Sequence, residues 1–227
     1  MAPFKALKAA MSPVFKQRVL SAAILGPMFL AAVYWGGIPF YAVCGLALTI
    51  SFNEWLHLSA LSPTARRDLI VGGGYLALCF IAFIFLRIGM PHGAWVLFSL
   101  LFTIWACDIS AYFTGKKIGG PKMAPRISPN KTWSGMGGGA LASGISLCLS
   151  DVAFNIIGFP FLAFIIGVFL AFVGQAGDLL ISWQKRRVGV KDTGSIIPGH
   201  GGILDRIDSL LLASPVFLVF LWVWQGW

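Results

Sequence analysis

The chemistry open to this chain rests on five aspartates and one short polar run. Asp108 lies near the end of one apolar stretch, Asp178 near the end of another, and Asp205 and Asp208 open a third. A carboxylate inside or at the edge of a membrane-length apolar run is costly unless solvated, paired or bound, so each marks a candidate site. Asp205 and Asp208 are three residues apart and share a helical face; acidic groups in a first turn also complement the helix dipole. Gly174 and Gly177 flank Asp178 and allow a helix or ligand to come close. Converging, Asp178, Asp205 and Asp208 suit Mg2+, which takes oxygen ligands and shares substrate phosphates; Asp192 is a weaker candidate. Nearby stand Lys185, Arg186, Lys191, His200 and Arg206, with Gly199, Gly201 and Gly202 leaving room for the backbone to curl. Ser128, Asn130, Lys131 and Thr132 combine hydroxyl, amide and ammonium groups beside backbone amides, donors that suit a polyphosphate. Purely structural alternatives are a hydrogen bond from Asp108 to Tyr112 and a buried pair of Asp178 with Lys185 or Arg206.

The elements that must hold these residues are membrane spans. Of the 227 residues, 58% are hydrophobic and 11% charged, against about 25% charged in a soluble domain. Mean hydropathy is +0.84. The predicted fold is an all-α polytopic bundle of about seven transmembrane helices, near 19–36, 38–53, 69–87, 93–113, 135–157, 160–181 and 207–225. The second is short, and so is read as tilted or re-entrant. The net charge of +9 comes from basic clusters between apolar runs, the pattern of cytoplasmic loops facing anionic lipid, not of a nucleic-acid surface. With a cytoplasmic N-terminus, Arg87 is the only one of 17 Lys and Arg residues on the outside.

Residues 1–18 form a basic segment with Phe4, Leu7, Met11 and Phe15 on one face, as in an interfacial helix. Residues 19–100 are N-terminal spans, and 101–227 the catalytic region with cytoplasmic loops at 114–134 and 182–206. Cys44, Cys79, Cys107 and Cys148 stand singly in apolar runs as packing residues, with no metal or disulfide pattern. Gly135 to Ala140 fits a dinucleotide fingerprint, but no strand precedes it; close packing of helices through small residues explains it better. His57 and His92 have no such company and are read as interfacial.

From Trp105 to Asp208 the chain resembles the phosphatidate cytidylyltransferase (CDP-diglyceride synthase) family. The upstream family motifs fall on Trp105, Asp108, Ala111, Tyr112, Ser128, Pro129, Asn130, Lys131, Thr132, Trp133 and Gly135. The C-terminal pattern falls on Ser182, Lys185, Arg186, Lys191, Asp192, Gly194, Pro198, Gly199, His200, Gly201, Gly202, Asp205, Arg206 and Asp208. Gln184 stands where an apolar residue is usual, and Ile181 where a glutamate is common. Residues 1–100 match only in being hydrophobic.

The resemblance implies that CTP and phosphatidate give CDP-diacylglycerol and pyrophosphate. Asp178, Asp205 and Asp208 would hold Mg2+. Asp108, Ser128, Asn130, Lys131, Thr132, Lys185 and Arg186 would bind substrate, and Lys191, Asp192, His200 and Arg206 would act at the reacting phosphates. The nucleophile is an anionic phosphate oxygen, so positioning and charge neutralisation should carry catalysis without a strong base. The two polar loops fall on the cytoplasmic side, so a site built from them faces the cytoplasm; the membrane is expected to be a bacterial inner membrane, and the family also implies a homodimer. A CTP-dependent polyprenol or dolichol-type lipid kinase, and a transporter with helices broken at Gly72–Gly74 and Gly135–Gly139, are the alternatives.

Overall fold

The computed structural model describes residues 13–196 and 201–226. Among the described residues seven α-helices follow one another: α1 Pro13–Trp35, α2 Gly37–Ala60, α3 Ala65–Ile88, α4 Gly93–Ile118, α5 Trp133–Phe154, α6 Pro160–Arg187 and α7 Leu204–Gln225. The last five are long and apolar enough to cross a membrane. The outer faces carry exposed Ile81, Phe113, Leu149, Phe161, Phe169 and Val223, a surface that suits lipid and would be a liability in water. The expected amphipathic face of residues 1–18 lies outside the described residues.

Local chemistry sets several boundaries. α4 ends at Gly119, whose φ of 70° lies in the left-handed region that favours glycine. α5 starts where the Thr132 hydroxyl accepts the amide of Gly135 at 3.1 Å. Pro160 opens α6, where its missing N–H costs nothing. Where a short second span is expected stands the 24-residue helix α2; it runs on through Asn53 and Glu54, because Glu54 finds partners inside the protein. α6 likewise continues to Arg187, so the expected 182–206 loop begins only after it.

The helical bundle carries one small non-helical element: β1 (Lys122–Ala124) and β2 (Ser128–Thr132) form an antiparallel hairpin between α4 and α5. The Ser-Pro-Asn-Lys-Thr run is thus a strand, tied at its base by Trp133 N–H donating to Pro121 O at 3.0 Å.

Helices α4, α5, α6 and α7 pack in sequence, α4 most extensively on α5. Small residues allow this. A Cβ on Gly135 would lie 2.8 Å from Ala111 O, and one on Gly139 would lie 3.0 Å from Cys107 O, so the glycine run is a helix-packing face, as its sequence suggests. The largest apolar core joins Val33, Phe40, Leu86, Leu97, Leu147, Leu170 and Phe217, and a second joins Trp55, Leu76, Phe80, Ile181 and Leu204. Cys44, Cys79 and Cys107 are buried as free thiols, and Cys148 is partly so. The polar links collect at one end. Arg187 pairs with Asp68 at 3.0 Å, joining α6 to α3, and Gln184 donates to Asp68 at 3.2 Å. At the other end Arg87 donates to Val33 O and Tyr34 O at 2.6 and 3.0 Å.

Candidate active site

Between α4, the hairpin, α6 and the start of α7 lies a cleft of about 760 Å³. Asp108, Tyr112 and Lys116 reach it from α4, Lys122, Asn130, Lys131 and Thr132 from the hairpin, Gln175 and Asp178 from α6, and Asp205, Arg206 and Asp208 from α7. Residues as far apart in sequence as Asp108 and Asp208 therefore face one space, with carboxylates and cations on its walls.

Asp178 is central. Its carboxylate forms an ion pair with Lys131 Nζ at 2.6 Å and accepts a hydrogen bond from Ser182 Oγ at 3.1 Å. Asp108 and Asp208 line the same cleft. Asp108 accepts from Gln175 Nε2 at 3.2 Å instead of from Tyr112. Asp178 pairs with Lys131, not with Lys185 or Arg206. Gly177 explains the closeness of Asp208: a Cβ there would lie 2.6 Å from Asp208 O. The glycine lets α6 and α7 touch at the two acidic residues.

Asp205 lines the cleft and is also tied into its frame. One oxygen accepts from Lys185 Nζ at 2.5 Å. The other accepts from Thr193 N at 2.8 Å, Thr193 Oγ1 at 3.1 Å and Gly202 N at 3.3 Å. It fastens the segment before α7 to α6, with both carboxylate oxygens engaged. Among the described residues no three His, Cys, Asp or Glu side chains stand together as a metal-binding group. Asp178 and Asp208 face the cleft from α6 and α7.

Other expected site residues also separate. Lys185 is buried in its pair with Asp205, outside the cleft wall. Arg186 holds the two loops together, donating to Ile127 O at 3.2 Å and Val190 O at 3.1 Å. Lys191 and Asp192 are exposed and outside the wall, and Ser128 pairs with Ala124 at the far end of the hairpin. Thr132 lines the cleft while its oxygen caps α5. His200 lies outside the described residues. The common cause is that runs of polar residues alternate between facing the cleft and fastening its frame.

Three residues that the motifs do not single out belong to this region. Gln175 orients Asp108; Lys122 lines the cleft; and Glu54, from α2, bonds to the segment around α7's start. Glu54 carries a visible signal, being an isolated acid at the edge of an apolar run.

The chain belongs to the cytidylyltransferase family, whose sequence model matches residues 16–91 and 75–224. It is 37% identical over 205 residues to a phosphatidate cytidylyltransferase of Rickettsia bellii, covering 88% of this chain and 87% of the relative. It is 34% identical over 254 residues to the protein of that name from Brucella abortus, covering 89% and 92%. A Rickettsia felis protein of the same name is 36% identical over 206 residues, covering 88% of each. The similarity therefore extends well into the N-terminal half, beyond the match in hydrophobicity that its motifs offer.

Proposed function

We propose that this member of the cytidylyltransferase family transfers the cytidylyl group of CTP to phosphatidate, forming CDP-diacylglycerol and releasing pyrophosphate. The observation that carries the reading is the joining of Lys131, Asp178, Asp208 and Arg206 in one cleft at the polar end of an apolar bundle. A phosphate oxygen of phosphatidate attacks the α-phosphorus of CTP. The new P–O bond forms as the bond to the β-phosphate bridging oxygen breaks, and that oxygen keeps the electron pair. The nucleophile is already anionic, so no side chain needs to remove a proton.

The chain's own residues bind and neutralise. Lys131, Lys122, Lys116 and Arg206 face the space that a triphosphate needs, and Asn130 offers an amide to ribose or phosphate. Asp178 and Asp208, with Asp108 across the cleft, are the residues to hold Mg2+. Two carboxylates suffice, because Mg2+ commonly binds one or two protein carboxylates and completes its shell with water and phosphates. When bound, the ion supplies charge neutralisation at the developing pyrophosphate. The acidic pair and Lys131 hold its two kinds of partner, metal and phosphate, side by side.

The membrane is the bacterial inner membrane, with the N-terminus and the cleft in the cytoplasm. The concentration of Lys and Arg in the segments at the polar end supports this orientation. Phosphatidate's acyl chains stay in the bilayer while its headgroup enters the cleft, and the protein works as a homodimer.

The test follows the label of γ-labelled CTP supplied with phosphatidate and Mg2+ to purified protein in detergent. Label in pyrophosphate, with a CDP-lipid forming in step and both abolished by EDTA, is the expected result. Label in a phosphorylated lipid when an isoprenoid alcohol is supplied in place of phosphatidate would establish a kinase instead.

A further inference from the structure

We infer that Glu54 is the positioning residue that fixes the start of α7 and through it sets Asp205, Arg206 and Asp208 in the cleft. The inference rests on the function proposed above. Glu54 is the only glutamate in the chain. It is 2% exposed, and a buried carboxylate must be satisfied by donors. One oxygen accepts from Ile203 N at 2.9 Å. The other accepts from Leu204 N at 2.9 Å and from Thr193 Oγ1 at 2.8 Å.

The first amides of a helix lack partners within it. α7 has no side-chain cap of its own at Ile203. Glu54 supplies that cap from α2, and its charge faces the positive end of the helix dipole. The cradle is tight: a Cβ on Gly202 would lie 2.5 Å from the carboxylate and one on Gly194 would lie 2.8 Å away. The Thr193 hydroxyl also approaches Asp205, and Asp205 reaches Lys185 on α6. A chain of polar contacts thus runs from Glu54 through Thr193 and Asp205 to Lys185, joining α2, α7 and α6. Glu54 is not in the cleft wall, whereas Asp205, Arg206, Asp208 and Ser209 of α7's first turns are. Its effect on the reaction is exerted through them.

The experiment compares wild type with Glu54→Gln, Thr193→Val and Thr193→Ser in detergent, by amide hydrogen exchange and by initial rates. Glutamine keeps the size but places an NH2 group where a backbone amide needs an acceptor. Glu54→Gln should speed exchange over 201–210 at least about 10-fold while leaving 139–150 unchanged. It should lower kcat by about 10- to 100-fold with KM for CTP within about 3-fold, because misplaced groups weaken the transition state more than substrate binding. Thr193→Val should loosen the same segment, and Thr193→Ser, which keeps the hydroxyl, should not. Unchanged exchange at 201–210, exchange raised evenly over every helix, or kcat within about twofold of wild type would each overturn the inference. If wild type itself turns over no CTP, the proposed function fails, while the exchange data still decide whether Glu54 anchors α7.

Discussion

At the scale of single residues, the same types of side chain divide into two jobs. Lys131 and Asp178 face the cleft, 18% and 27% exposed, while Lys185 and Asp205 are buried at 9% and 6%. The first pair is open to exchange partners with a metal and a phosphate; the second is closed. Asp178→Asn should therefore cut kcat by about 100-fold or more while the protein stays folded. Pyrophosphate release at saturating CTP and Mg2+ measures this, and a rate near wild type would remove Asp178 from the site. Lys185→Met should act first on stability, since it strands the buried Asp205 charge, at a cost of about 3 kcal/mol. A thermal melt in detergent should show a clear drop for Lys185→Met and little change for Lys191→Met, whose side chain is exposed. Equal melts would mean that the buried pair contributes nothing to the frame.

At the scale of elements, glycines decide how closely the helices bearing these residues approach. Gly177 sets α6 against α7 at Asp208, and Gly135, Gly138 and Gly139 set α5 against α4, whereas Gly137 has nothing within 4 Å. Gly177→Val should lower stability by about 1–3 kcal/mol and reduce turnover by moving Asp208 away from Asp178. Gly137→Ala should be neutral or slightly stabilising, since alanine is the better helix former. Melting and turnover of the two variants side by side check the distinction. The glycine spacing and the helix-packing role of the run are legible in the residues alone. The hairpin is not: Ser128 to Thr132 lacks the apolar alternation that marks a strand, and its pairing with Lys122–Ala124 is a partner choice made outside the strand. Helix ends depart from the hydropathy pattern for a related reason. Hydropathy falls at Asn53–Glu54 and at Lys185–Arg187, yet both helices continue because donors and acceptors from other elements satisfy those side chains.

At the scale of the whole molecule, polar links gather at one end of the bundle and aromatic and backbone links close the other, where Trp224 donates to Ile157 O at 2.9 Å. In inside-out vesicles a membrane-impermeant maleimide should label Lys117→Cys and not Pro91→Cys, with Cys148 changed to serine in both. Three of the native thiols are buried and give a low background. The reverse labelling pattern would invert the orientation and place the cleft outside the cell.

By itself, the sequence determined that this is a membrane bundle with its charge at one boundary, and that its polar motifs in 105–208 belong together. Composition and hydrophobic run length fix those features locally, residue by residue. Only the tertiary structure decided what each of the cleft's carboxylates meets. Asp205 and Asp208 share a helix, yet Asp205 fastens Lys185 and Thr193 while the Asp208 backbone packs on Gly177, next to Asp178. That division depends on where α6 and the 188–203 segment lie, as does the use of Glu54 from 150 residues away to cap α7. Spacing along a chain specifies a face of a helix; what that face meets is set by long-range packing.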